Sequence, residues 1–194
     1  GWAESHLGDR SSLDLVGEQQ DLFDALKATG KPITVILING RPASIGKIAS
    51  EANAIIEGWY LGEQGGNALA DVLFGDVNPG GKLPVTFPRN AGQLPFYYNH
   101  KPTARRGYLF DEKAPLYPFG FGLSYSTFEL GAPTLSSTTI AANGTVVVTV
   151  PVKNTSNRAG DETVQIYVRD KVSSVTRSVK DLKAFKRVTL AAGE

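Results

Sequence analysis

Residues 115–128 read Pro-Leu-Tyr-Pro-Phe-Gly-Phe-Gly-Leu-Ser-Tyr-Ser-Thr-Phe, a run too dense in prolines, glycines and rings for a regular helix or sheet. Its two prolines fix φ and remove backbone donors, while its rings offer buried area where regular hydrogen bonding is missing. The run therefore predicts an ordered, irregular tether that pins separate elements together. It also divides the chain: the residues before it alternate between strand-like and helix-like patterns, and those after it read as β only. Two domains are expected, 1–128 and 129–194, the second of them truncated.

Charge and composition exclude several functions. Twenty basic residues against nineteen acidic ones leave a net charge of +1, with no global field to attract nucleic acid or anionic lipid. The Arg105-Arg106 pair reads as a solvated surface pair. No apolar run approaches membrane-spanning length; the longest, Ile33 to Ile38, is the length of a strand. There is no cysteine, hence no disulfide, thiol nucleophile or thiolate metal site, but any redox compartment remains compatible, periplasmic or secreted included. The two histidines, His6 and His100, are far apart and lack carboxylates at metal-ligand spacing, so neither metal nor cofactor is expected. The chain has no methionine and starts Gly-Trp-Ala-Glu, and it stops after a strand-like run; both ends suggest a piece of a longer polypeptide.

Along the first part, Asp9–Ala28 begins as a polar loop and becomes a helix with Leu15, Leu22, Phe23 and Leu26 on one stripe, ended by Gly30. The β-branched run 33–38 then reads as a strand buried on both faces in a parallel sheet. The Asn39-Gly-Arg-Pro42 turn leaves it, and 43–49 is short and mixed. Ala52, Ile55, Ile56, Trp59 and Tyr60 form a second strand or another buried segment, which period alone does not separate. A glycine-rich stretch, Gly62 to Gly66, opens a helix over 67–74. Its spacing fits neither a P-loop nor a dinucleotide fingerprint, so a tight turn with close packing is the better reading. Asn78-Pro-Gly-Gly81 marks a turn, Lys82–Phe87 a short strand closed by Pro88, and 92–100 an ordered aromatic cover. After Phe128, the segments 145–152, 163–168 and 183–190 alternate as strands of a β-sandwich, with about four strands visible where about seven are usual. Asn143-Gly-Thr and Asn154-Thr-Ser match glycosylation sequons but are assigned to turns.

Functional groups are densest at the start, where Trp2, Glu4, His6, Asp9 and Arg10 fall within ten residues. Such a loop could line a polar pocket, with Glu4 for acid/base chemistry, Trp2 as a sugar-stacking ring and Arg10 as a clamp for Asp9. A solvated surface loop is the competing reading. No Gly-x-Ser-x-Gly is present, and Glu4 has no second carboxylate in a comparable loop, as glycoside hydrolysis would need.

Several motifs together resemble glycoside hydrolase family 3: Asn39-Gly-Arg-Pro42 after a buried strand, Trp59-Tyr-Leu-Gly-Glu-Gln-Gly-Gly66, residues 70–84 and residues 115–128. Residues 159–168 and 182–188 look like the fibronectin type III-like domain that follows the catalytic part in many members. The resemblance implies the later half of an α/β sandwich domain followed by the start of a β-sandwich. It also implies a (β/α)₈ barrel, not found in these residues, carrying an aspartate nucleophile. The family's acid/base is usually a glutamate shortly before a Gly-Asp segment, here resembled by Gly8-Asp9; this makes Glu4 the candidate, a glutamate preceding Gly1 being the alternative. Trp2 and His6 would flank the substrate.

The expected activity is hydrolysis of terminal, non-reducing β-linked sugars, most simply as a retaining β-glucosidase, on an oligosaccharide or glycoside substrate and with the barrel portion as partner. Glucose and xylose are close rivals. A non-catalytic carbohydrate-binding module or a homodimerisation module is the alternative, though the sequence offers no decisive apolar patch for a dimer.

Overall fold

Two parallel strands and their flanking helices organise the first part of the chain. The computed structural model describes residues 10–102, 107, 109 and 111–194. Helix α1 spans Gln19–Lys27, strand β1 Thr34–Leu37, helix α2 Gly46–Glu51, strand β2 Ala54–Glu57 and helix α3 Gly65–Phe74. β1 and β2 pair in parallel, Thr34 beside Ala54 through Leu37 beside Glu57. A parallel pair needs a crossover, and α2 supplies it.

The core beneath this pair gathers Phe23, Leu37, Ala43, Ile45 and Ile48, with Leu15, Val35, Ile55, Leu116 and Tyr117 packed around them. Helix α1 begins later than the apolar stripe suggests, because Gly17 takes a left-handed φ of 60° that a continuous helix excludes. Leu15 consequently reaches the core from a loop, while Leu22 and Leu26 face outward, 61% and 47% exposed. The run at 33–38 is likewise not buried on both faces among the described residues: Thr34 is exposed, and only Leu37 is fully buried in β1. The mixed segment at 43–49 forms the start of α2, whose Lys47 Nζ meets Asp24 Oδ2 of α1 at 2.6 Å. That hydrogen bond, with one from Gln20, holds the Asp24 carboxyl below its ordinary pKa.

No strand forms over Lys82–Phe87. Leu83 N–H donates to Phe121 O and Phe87 N–H to Tyr117 O, both at 2.8 Å, but Phe87 and Tyr117 make only an isolated antiparallel bridge. Pro84 and Pro88 on one side and Pro118 on the other lack the donors a continuous ladder requires.

The part after residue 127 is antiparallel throughout. β3 (Phe128–Leu130) pairs with β6 (Val152–Asn154), β4 (Thr134–Leu135) with β5 (Val148–Thr149), and β7 (Gly160–Val168) with β8 (Asp181–Leu190). The segment expected as one strand over 145–152 is split between β5 and β6 around Pro151, which cannot donate to a ladder. β3 and β4, which the sequence does not announce, are three and two residues long, too short for a period to register. Among the described residues, no helix is long and apolar enough to cross a membrane.

The segment at 115–128 ties the two parts together through Asn78. Asn78 Oδ1 accepts from Ser124 Oγ and Tyr125 N–H, and its Nδ2 donates to Ser126 Oγ and Ala159 O, all within 2.8–2.9 Å. Ser126 passes the connection on by donating to Arg158 O at 2.8 Å. Arg158 stacks over the Tyr125 ring and donates to Gly75 O, while the Tyr125 hydroxyl donates to Val72 O at 2.7 Å. Gly75 O at the α3 C-cap is closed in this way, and Val72 O, which already accepts the Gly75 N–H at 3.1 Å, gains a second donor. Farther along, Tyr98 stacks on Phe119 at 4.3 Å and meets Tyr167 of β7 edge-on at 5.9 Å. Lys82 and Glu162, both largely buried, pair at 3.0 Å across the same seam. Asn154 of the second sequon has no exposed surface, and its amide is spent on Arg158 O and Ala191 O.

Asp161 of β7 accepts from Thr189 Oγ1 at 2.6 Å and from the Arg187 guanidinium, contacts that hold its carboxyl below the ordinary 3.8. A depressed carboxyl stabilises the fold above its unfolded-state value and loses that contribution as pH falls through the lower folded-state value. Asp161→Asn should therefore lower the melting temperature at pH 7 and narrow its gap from the parent as pH drops below about 4. Thermal melts at several pH values read both; a gap that widens in acid would contradict the assignment.

Candidate active site

Glu4, Trp2 and His6 lie outside the described residues, as do Asp9 and Arg105-Arg106. The described segment that follows the first of them in sequence, Arg10–Leu15, lies beside the turn that leaves the carboxyl end of β1. In open α/β sheets, the crevice beyond the carboxyl ends of parallel strands is where ligands bind.

Arg10, Ser11, Ser12, Asp14, Leu15 and Val16 line an open depression of about 420 Å³. Ser12 turns this segment locally: its Oγ lies 2.7 Å from Asp14 Oδ2 and accepts Asp14 N–H at 3.0 Å. The segment is then fastened to the strand ends, since Ser44 N–H donates to Leu13 O at 2.7 Å and Asp14 bridges Ser44 in parallel. The polypeptide leaving the first ten residues is thus held by the turn that leaves β1.

At the strand ends the central group is Glu57. Its Oε1 accepts the Trp59 N–H at 3.0 Å, and the Asn39 amide, oriented by its hydrogen-bond network, donates to the same oxygen at 3.1 Å and to Arg41 O at 3.2 Å. Trp59 has a left-handed φ of 51°, a conformation uncommon for a bulky residue. Its ring lies 5.8 Å from Phe87, which in turn meets Tyr117 edge-on at 6.2 Å. Burial in this cluster pushes the Tyr117 phenol up. A Cβ at Gly40 would come within 2.8 Å of the Tyr60 ring, so any larger residue there would displace that ring. Asn39, Trp59 and Tyr60 were visible in the sequence as motif residues, but Glu57 was not singled out. Its signal is an acidic residue closing the apolar run Ala54-Ile-Ile.

Residues 2–125 match the Glycosyl hydrolase family 3 C-terminal domain. The chain belongs to glycoside hydrolase family 3. The family 3 match is followed by a second one, residues 162–194 to the Fibronectin type III-like domain. A β-xylosidase of Formosa agariphila is 54% identical over 96% of this chain and 26% of its own length. A periplasmic β-glucosidase of Salmonella typhimurium is 48% identical over 95% of this chain and 26% of its own. Among solved structures, a β-glucosidase from Erythrobacter marinus superposes with a TM-score of 0.94 at 50% identity, over 96% of this chain and 25% of that one. A β-glucosidase from Listeria innocua, solved in complex with isofagomine, superposes at 0.93 and 38% identity, over 99% of this chain and 28% of its own. This family 3 chain therefore spans about a quarter of the length of the relatives it matches.

Proposed function

We propose that this chain supplies the acid/base loop and the supporting domain of a retaining exo-β-glycosidase acting on terminal β-linked glucose or xylose. The observation that carries the reading is 48–54% identity to a β-glucosidase and a β-xylosidase over nearly all of the chain. The nucleophile belongs to a barrel portion of the same polypeptide, in line with relatives about four times as long. Residues 1–128 form the later part of an α/β sandwich domain and 129–194 the start of a fibronectin type III-like β-sandwich.

Glu4 acts as the acid/base in this reading, with Trp2 and His6 beside the sugar. Protonated, it donates to the glycosidic oxygen as the bond to the anomeric carbon breaks and the barrel carboxylate takes the sugar. Deprotonated, it removes a proton from the water that then releases the sugar, giving overall retention. Arg10–Leu15, fixed by Ser44, sets where this loop returns to the fold.

The intact polypeptide should hydrolyse an aryl β-glucoside or β-xyloside and release the β-anomer first, as followed by proton NMR during turnover. The 194-residue chain alone should be inactive. Failure of the intact polypeptide on every β-linked sugar would favour a saccharide-binding or dimerisation module instead.

A further inference from the structure

We propose that Glu57 is a positioning residue for the acid/base loop, acting through the turn that leaves β1; the inference rests on the function proposed above. Glu57 is the last residue of β2, opposite Leu37 in the parallel register. From there its carboxylate joins the two strand exits: Oε1 holds the Trp59 N–H on one side and the Asn39 amide on the other. Gly58 N–H donating to Leu37 O at 2.9 Å keeps the exits adjacent.

Each tie has a mechanical consequence. The bond to Trp59 N–H compensates a left-handed backbone conformation that is strained for a non-glycine residue, and so fixes where the chain departs from β2. The bond to Asn39 fixes the start of the 39–44 turn. That turn ends in buried Ala43 and in Ser44, whose N–H holds the O of Leu13, nine residues after Glu4 in the chain. A displacement of the Asn39 turn is therefore passed to Leu13 and Asp14 through a short hydrogen bond rather than through a flexible linker.

A shift of about 1 Å in a catalytic group can cost about a hundredfold in rate. The loss should appear only where proton donation matters. A dinitrophenyl leaving group departs without an acid, whereas a phenyl or alkyl group needs one. Misplacing the acid therefore slows poor leaving groups selectively, and a general loss of folded protein slows both equally.

The experiment uses the intact polypeptide and compares Glu57→Ala, Glu57→Gln, Asn39→Ala and Glu4→Gln on phenyl and dinitrophenyl glycosides of the sugar it hydrolyses. Glu57→Ala should lower kcat/KM on the phenyl glycoside by about a hundredfold and on the dinitrophenyl glycoside by less than about threefold. Glu57→Gln, whose amide oxygen accepts from the same two donors, should restore most of the loss. If Glu57→Ala does not fold, Asn39→Ala carries the test, because it cuts the same path and should show the same selectivity. Equal losses on both substrates, or none on either, would overturn the positioning role while leaving the proposed function standing. If Glu4→Gln itself shows no selectivity, the acid assignment falls and this inference with it.

Discussion

Glu4→Gln in the intact polypeptide is expected to lower kcat/KM on a phenyl glycoside by about 10²- to 10⁴-fold, the usual contribution of a general acid. Glutamine keeps the size of the side chain but has no proton to give, so the bond to a poor leaving group must break without assistance. The effect on a dinitrophenyl glycoside should be far smaller. The parent's activity on the phenyl substrate should fall as pH rises through the pKa of the acid, since only the protonated form donates. That alkaline limb should disappear in Glu4→Gln. Steady-state kinetics across pH on both substrates read each point; a variant that keeps parental activity on the phenyl glycoside would move the role to another glutamate.

The largest expected loss of stability comes from Phe87→Ala, about 3–5 kcal/mol. Phe87 is 1% exposed, and its ring lies between Trp59 and Tyr117. Its backbone also exchanges hydrogen bonds with the 115–128 segment: its N–H donates to Tyr117 O, and its O accepts from Leu116 N–H at 2.9 Å. Truncation leaves a cavity at the point where the strand exits, the cover and the tether meet. Little collapse can fill it, because Pro84, Pro88 and Pro118 hold the adjoining backbone in place. Urea unfolding followed by tryptophan fluorescence gives the difference; a loss below about 1 kcal/mol would show that the cluster does not hold these elements together.

What the sequence made legible follows from how local each cause is. The run 33–38 announced β1 because it is short, rich in β-branched residues and bounded by Pro32 and the Asn39-Gly40 turn. The tether at 115–128 was legible as irregular and ordered, since its prolines and rings act where they stand. The start of α1 was misplaced because Gly17 adopts positive φ without any change in apolar spacing. The strand expected over Lys82–Phe87 failed because its would-be partner carries prolines too, a fact visible only once the partner is known. Asn78 read as a turn residue, yet it joins Ser124, Tyr125, Ser126 and Ala159, residues 46 to 81 positions away.

The same division holds at the candidate site. Glu4, Trp2 and His6 came from motif resemblance and from the density of functional groups, both local signals. The strand ends that carry Asn39, Glu57 and Trp59 come together only through parallel pairing, and no spacing along the chain encodes the meeting of Glu57 with Asn39. An acidic residue closing an apolar run was the available sign, and a bend to solvent would have explained it equally well.

The most direct measurement replaces Glu4 by alanine in the intact polypeptide and follows turnover of a dinitrophenyl glycoside with and without sodium azide. In the proposed mechanism this substrate would load the nucleophilic carboxylate without acid help, so release of the sugar, which needs the base, would become slow. Azide needs no base and can occupy the space vacated by the carboxylate. Restored turnover with a β-glycosyl azide as product is the result expected of a retaining enzyme whose acid/base is Glu4. An α-glycosyl azide would contradict retention, and a rate indifferent to azide would contradict the role of Glu4.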